Sequence, residues 1–301
     1  MKRCARTPIA PFTTLRVGGE ARELVTVDTE ADLVDAVREA DARGDAVLVL
    51  GGGSNVVVAD EGFDGRVVRV ATRGVTTTRA DDLVHVRAAA GEPWDALVAR
   101  TVQDDLAGLE CLSGIPGLVG ATPIQNVGAY GQEVSDTITA VRAWDRRDAC
   151  VVTLGPADCA FGYRDSAFKS AMPGRHVVLD VTFALRPDGA PAVRYGELSR
   201  ALARLPSPTL TATRDAVLAL RRAKSMVLDD DDPESRSAGS FFTNPVVDAA
   251  VADAIWASLL VTQGLRIGQK RRFEFAEVVR TGRSHHLDVH RGLYLQELMQ
   301  A

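Results

Sequence analysis

Two glycine-rich stretches are the parts of this sequence whose residue types and spacing point most directly to ligand chemistry. The first is Gly51-Gly52-Gly53-Ser54-Asn55. Three consecutive glycines let the backbone take positive φ and approach a ligand closely. Successive main-chain N–H groups in such a turn form an anion-binding concavity. Ser54 and Asn55 add side-chain donors. A dinucleotide fold or a P-loop would place a helix directly after the glycines. Here Val56-Val57-Val58 follows, which favours a strand. The segment reads as a phosphate loop of another kind or as a tight turn. The second stretch runs from Ser113 to Gly131, SGIPGLVGATPIQNVGAYG, with five glycines, two prolines and no charged side chain. A loop that is both apolar and glycine-rich makes a poor solvent-facing linker. It suits a backbone wrapped around a flat, partly apolar ligand, with Gln125 and Asn126 as fixed amide contacts, or a buried crossover.

Other reactive residue types give weaker signals. His285 and His286 are adjacent, and His290 lies four residues past His286, a spacing that on a helix would share one face. No acidic signature accompanies them, so solvated histidines are expected and no metal. Cys4, Cys111, Cys150 and Cys159 show no CxxC spacing and read as free thiols. No serine stands in a nucleophile elbow or a Ser-His-Asp order, which disfavours a hydrolase.

These loops need elements to hold them. Glu23 to Val27 reads as a strand. Thr29 then caps a helix, with Asp32 in the capping-box position and Leu33, Val34 and Val37 on one face. Gly44 ends that helix. The apolar run Ala46–Leu50 is a strand that delivers the chain into the first glycine loop, and another strand follows near Val67–Val70. A second strand-rich stretch begins near Leu83. Pro93 opens a helix carrying Trp94, Leu97, Val98 and Val102. Residues 137–144, 150–154 and 177–185 read as strands. Leu205-Pro206-Ser207-Pro208 looks like a boundary, and a helix from about Arg214 to Lys224 leads into the acidic, solvated run Asp229–Asp232. The class is α+β.

At 301 residues, with 46% hydrophobic and 25% charged residues, the chain is long enough for two or three domains with a substantial core. A net charge of −5 argues against a nucleic-acid partner bound through a basic face. No apolar run approaches the roughly 18 residues a membrane helix needs. The N-terminal segment lacks the apolar core of a signal peptide, so a cytoplasmic location is expected.

Five segments in order carry a family likeness. These are Thr13–Gly19 (TTLRVGG), the LGGGSN loop, the SGIPGLVGATPIQNVGAYG loop, Phe161–Ser166 (FGYRDS) and Ala238–Pro245 (AGSFFTNP). Together they resemble the UDP-N-acetylenolpyruvoylglucosamine reductases, flavoenzymes of peptidoglycan synthesis. The resemblance spans about residues 12 to 247. It implies a two-part FAD-binding domain of the vanillyl-alcohol-oxidase type and a smaller substrate domain, with boundaries expected at 1–71, 72–205 and 206–301. By this resemblance FAD is held by Gly51, Gly52, Gly53, Ser54, Asn55, Ser113, Ile115, Pro116, Gly117, Gly120, Ala121, Gln125, Asn126 and Tyr130. Val193–Leu198 (VRYGEL) is similar to the substrate-covering tyrosine loop of one branch of the family. Tyr195, Lys224 and Asn244 would then contact the UDP-sugar.

The implied reaction takes hydride from NADPH through FAD to the enolpyruvyl double bond. Arg164 is the implied stabiliser of the electron-rich carboxylate, its rival reading being an ion pair with Asp165 or another surface carboxylate. Ser240 is the implied donor of the proton to C2, its rival reading being a turn serine. The family's second polarising residue, a glutamate near the C-terminus, has only Glu277 as a faint match, within Arg272–Gly282. Glu277 comes 37 residues after Ser240, earlier than the family places it. From about residue 248 the family pattern is lost. Two rival functions follow, a flavin- or UDP-sugar-binding paralogue with impaired turnover and an FAD-linked oxidase of the same fold. The only other expected partner is the small-molecule substrate, and a monomer is expected.

Overall fold

The computed structural model describes residues 1–239 and the backbone of residues 246–247, 278–281 and 284–287. Met1–Ala238 form one compact unit and Gly239–Ala301 a second.

The first unit opens with β1 (Lys2–Pro8), β2 (Glu20–Val27), α1 (Glu30–Arg43), β3 (Val47–Leu50) and β4 (Phe63–Val70). These strands form a sheet in the order β1-β2-β4-β3. β4 runs parallel to both β2 and β3, and β1 closes the edge antiparallel to β2. Helix α1 starts where Thr29 accepts a hydrogen bond from the Asp32 N–H and stops at Gly44, which sits at φ 69°. The capping box is only half made: the Asp32 carboxylate accepts from the Met1 amino group at 3.0 Å. Leu33, Ala36, Val37 and Ala40 are the buried face of α1. All but Ala40 join Val25, Val27, Val68 and Val70 of the sheet in one core cluster. Each fully buried Val or Leu side chain stabilises by roughly 1.5–3 kcal/mol.

The chain continues through β5 (Val75–Ala80), β6 (Leu83–Ala89), α2 (Trp94–Gln103), β7 (Leu106–Ala107), β8 (Gly128–Ala129), β9 (Gln132–Glu133), β10 (Ile138–Asp145), β11 (Cys150–Leu154), α3 (Pro156–Cys159), β12 (His176–Pro187), α4 (Gly196–Ala201) and α5 (Leu210–Arg222). A second, antiparallel sheet has the order β11-β10-β12-β6-β5, with β7 on β12. β12 is its centre, and Val177 to Val181 are buried without a break. β5 was not expected. Its sequence, VTTTRA, has five exposed positions of six, so an edge strand carries no apolar alternation to read. α5 begins four residues earlier than expected because Thr209 caps it, accepting from the Ala212 N–H.

In the second unit β13 (Val246–Val247), β14 (Val278–Thr281) and β15 (Ser284–Leu287) form an antiparallel sheet in the order β13-β15-β14. His285 and His286 lie in β15, so His286 is not on a helix whose face it could share with His290. Ser240, Asn244, Glu277 and His290 lie outside the described residues.

Candidate functional site

The fold brings the two glycine-rich loops into contact. Gly52 lies so close to the second loop that a Cβ on it would stand 2.8 Å from the Gly117 Cα. Ser54 Oγ donates to the Pro116 carbonyl at 3.2 Å, and Asn55 Nδ2 donates to Gln125 Oε1 at 3.2 Å. The opening segment braces the same place, since the Thr14 N–H donates to the Gly53 carbonyl at 3.0 Å. Gly53 has φ 66°, and a Cβ there would meet the Phe12 carbonyl oxygen at 2.0 Å. Among the described residues, no protein acceptor takes the N–H groups of Gly52, Gly53, Ser54 or Asn55. Four successive uncommitted N–H groups in a glycine turn fit a pyrophosphate.

The second loop is fixed along its length. Trp94 Nε1 donates to the Leu112 carbonyl at 3.0 Å, and the Gly114 N–H donates to Asp95 Oδ1 at 2.6 Å. Arg214 of α5 grips the same Asp95 with both nitrogens, at 2.6 and 2.8 Å. Burial pushes the Asp95 carboxyl up, but Arg214 and the Gly114 N–H outweigh it and hold the group below its ordinary value. Ser113 is buried, and its hydroxyl donates to the Glu110 carbonyl at 2.6 Å. Gly120 donates to the Ala90 carbonyl at 2.9 Å and Ala121 to the Leu118 carbonyl at 3.1 Å. Ile115 packs on the main core.

Asn126 turns out to hold the site together from within. It is buried at φ 45°, in the left-handed region. Its Nδ2 donates to Glu133 Oε2 at 2.7 Å and to the Gly162 carbonyl at 2.9 Å, and its Oδ1 accepts from the Ser135 N–H at 3.2 Å. The amide is thereby committed to protein groups. Just beyond it, β8 and β9 form a hairpin whose two loop residues, Tyr130 and Gly131, sit at φ 51° and 78°. Positive φ at both loop positions is the signature of a type I′ turn. Tyr130 therefore stands at the hairpin tip.

Arg164 docks on the base of this hairpin. Residues 162–165 form a tight turn in which Gly162 and Asp165 exchange main-chain hydrogen bonds. Ser166 Oγ ties the turn to the Ile124 carbonyl at 2.5 Å. Arg164 Nη2 donates to the Gly128 carbonyl at 2.6 Å and Nη1 to the Asn126 carbonyl at 3.4 Å. Its guanidinium lies 5.4 Å from the Tyr163 ring centre. A Cβ on Gly128 would stand 2.7 Å from Arg164 Nη1 and 2.8 Å from Glu133 Cγ, so a side chain there would push the guanidinium off its seat. The rival ion pair with Asp165 is not made. Asp165 accepts from Ser170 at 2.5 Å, and no salt bridge of Arg164 occurs among the described residues.

Tyr195 caps α4 and meets Tyr130 edge to face, with ring centres 5.7 Å apart. Burial, helped by Glu197, pushes the Tyr130 hydroxyl up to about 12. Lys224 Nζ is 2.7 Å from Glu197 Oε2, on the same helix that Tyr195 begins. Arg221 interacts electrostatically with Tyr130 and Asp95, and its Nε lies beside Gly114 without a hydrogen-bond partner. Sequence reading missed the Asp95–Arg214 clamp and the buried pair Glu110 and Gln132. Glu110 left one signal, a lone charge within the otherwise apolar LAGLECL.

Residues 21–155 match a family model described as an FAD binding domain. The chain is 53% identical over 268 residues to the UDP-N-acetylenolpyruvoylglucosamine reductase of Saccharopolyspora erythraea, covering 88% of this chain and 72% of that one. It is 55% identical to the enzyme of that name from Streptomyces coelicolor, covering 80% of this chain and 62% of the relative. A crystal structure of UDP-N-acetylenolpyruvylglucosamine reductase from Thermus caldophilus superposes with a TM-score of 0.58 at 26% identity, covering 99% and 92% of the two chains. The α+β architecture with an FAD-binding domain is thus the expected one, and among the described residues no helix is long and apolar enough to cross a membrane. On sequence and fold together, this chain belongs to the family of the FAD-dependent UDP-N-acetylenolpyruvoylglucosamine reductases.

Proposed function

We propose that the chain reduces UDP-N-acetylglucosamine enolpyruvate to UDP-N-acetylmuramate with NADPH, as a monomer in the cytoplasm, for peptidoglycan precursor synthesis. The observation that supports this most directly is the setting of Arg164 on the carbonyls of the second glycine loop. Carbonyl partners aim a guanidinium without neutralising it. The charge stays available to a substrate carboxylate that gains electron density in the reaction. Bound FAD supplies the hydride chemistry, received from NADPH and delivered to the enolpyruvyl carbon. The N–H groups of Gly52 to Asn55 are placed to hold its pyrophosphate, and the Ser113–Tyr130 loop to line the remainder. Ser240 gives the proton to C2, and a nearby cation would make its hydroxyl a better acid. Tyr195 covers the UDP-sugar, with Lys224 and Asn244 as further contacts and Glu277 as the candidate for the second polarising carboxylate.

Arg164→Lys tests this reading, because it keeps the charge and removes the fork. Substrate-dependent flavin reoxidation is expected to fall by about 100-fold or more, the usual cost of one preorganised charge-stabilising group, and to fall at least about tenfold further than flavin reduction by NADPH. Equal slowing of both half-reactions would assign Arg164 to the scaffold alone.

A further inference from the structure

The buried carboxylate of Glu110 takes no part in the reaction proposed for Arg164 and Ser240. It is 1% exposed in a 3-10 turn that immediately precedes the second glycine loop. Its Oε2 accepts from the Gly108 N–H at 2.7 Å. Its Oε1 accepts from the Ala192 N–H at 2.8 Å and from Gln132 Nε2 at 3.3 Å. Gln132 is 3% exposed and returns a bond, its Oε1 accepting from the Cys111 N–H at 3.0 Å. No cation pairs with Glu110 among the described residues, so main-chain and amide N–H groups alone satisfy it.

Gln132 follows the Tyr130–Gly131 turn in the hairpin whose Gly128 carbonyl holds Arg164. Ala192 lies three residues before Tyr195, in a segment folded back by Val193 N–H to Pro191 carbonyl and Arg194 N–H to Ala192 carbonyl bonds. The Cys111 sulfur donates to the Ala192 carbonyl at 3.3 Å, a second tie on the same residue. One carboxylate therefore fixes both the hairpin that presents Tyr130 and the strand of chain that presents Tyr195.

We propose that Glu110 is a positioning residue for substrate binding: it sets the spacing between the Tyr130 hairpin and the Tyr195 segment, and so the grip on the UDP-sugar. The proposal rests on the reductase reading for the role of Tyr195. A carboxylate serves here because it accepts on every face, whereas a glutamine would turn an N–H₂ toward one of the N–H donors.

The test is steady-state kinetics on the FAD-loaded enzyme with UDP-N-acetylglucosamine enolpyruvate. Glu110→Gln is expected to raise KM for that substrate about tenfold while kcat changes less than about threefold. In a Tyr195→Phe background, which keeps the ring and removes the hydroxyl, the same substitution should raise KM less than about threefold, because residues acting through one another are not additive. The same KM increase in both backgrounds, or none in either, overturns the proposal. Ala192→Pro removes the donor, sets its ring Cδ where the N–H pointed, and so breaks the contact by a route that leaves the Glu110 residue itself unchanged. The bond from the Val193 N–H to the Pro191 carbonyl, with Ala192 not at positive φ, makes an inverse γ-turn whose central φ suits proline. It should reproduce the KM increase, and an unchanged KM there refutes the latch even where Glu110→Gln fails to fold. A parent enzyme that never reduces this substrate overturns the reductase reading itself, a result the variants cannot mimic.

Discussion

Replacing Asn126 with alanine should destabilise the protein and detach the Arg164 turn, for reasons that can be put in numbers. The substitution deletes two donated hydrogen bonds, one of them to the Glu133 carboxylate, and one accepted from Ser135. Neutral bonds contribute about 0.5–1.5 kcal/mol each and bonds to charged groups about 1.5–3, so the three together give roughly 2.5–6 kcal/mol. Alanine must also take φ near 45°, which costs about 1–2 kcal/mol where glycine pays almost nothing. Against a total stability of about 5–15 kcal/mol, that is a large fraction. Chemical denaturation of the flavin-loaded protein measures it, with Asn126→Gly separating the backbone cost: glycine should be the less damaging by about 1 kcal/mol. Asn126→Asp cannot donate, and it sets a carboxylate against Glu133, so it should be at least as harmful as alanine. A loss below about 1 kcal/mol for the alanine variant, or wild-type stability for the aspartate variant, would show that the amide does not hold this turn.

Gly53→Ala should abolish flavin retention, since its Cβ would sit 2.0 Å from a main-chain oxygen, whereas Gly44→Ala, with φ 69° but nothing within 4 Å, should cost only about 1–2 kcal/mol in melting experiments; equal effects would refute the steric argument. Arg175 and two N–H donors hold the Asp145 carboxyl well below the ordinary carboxylate range. A depressed folded-state value stabilises above the unfolded value near 4 and is lost as pH falls below it, so acid-induced loss of stability should be shallower in Asp145→Asn than in the parent; superposable acid limbs would contradict this. Ser240→Ala should leave flavin reduction by NADPH nearly intact and slow substrate-dependent reoxidation by about 100-fold or more, as single-turnover kinetics of the two halves would show; equal slowing would make Ser240 structural.

How far the site could be read from sequence varied residue by residue. The two glycine loops were visible because glycine at high density has few uses besides positive φ and close approach. Their contact was not, since nothing in Gly52 or Gly117 says that one backbone packs on the other. Asn126 was expected to face the cofactor, and an asparagine in a glycine loop suits that as well as the internal brace it forms. Arg164 stood out only through its motif, because the carbonyls that orient it belong to main chain, which leaves no residue-type signature. β5 escaped notice as a polar edge strand, while α1 was legible to its caps because Thr29 and Gly44 act locally. Glu110 looked like an irregularity in an apolar run. Its partners, Gly108, Gln132 and Ala192, are three N–H groups spread over 85 residues of chain, and only the folded structure brings them together.

The most direct test of the whole account is an anaerobic visible spectrum of the purified protein. The account predicts yellow protein that releases FAD rather than FMN on denaturation, bleaches on addition of NADPH, and regains its flavin absorbance on addition of UDP-N-acetylglucosamine enolpyruvate with one UDP-N-acetylmuramate formed per flavin. Protein that takes up no flavin even after reconstitution, or reduced flavin that stays bleached in the presence of the enolpyruvyl substrate, would contradict it.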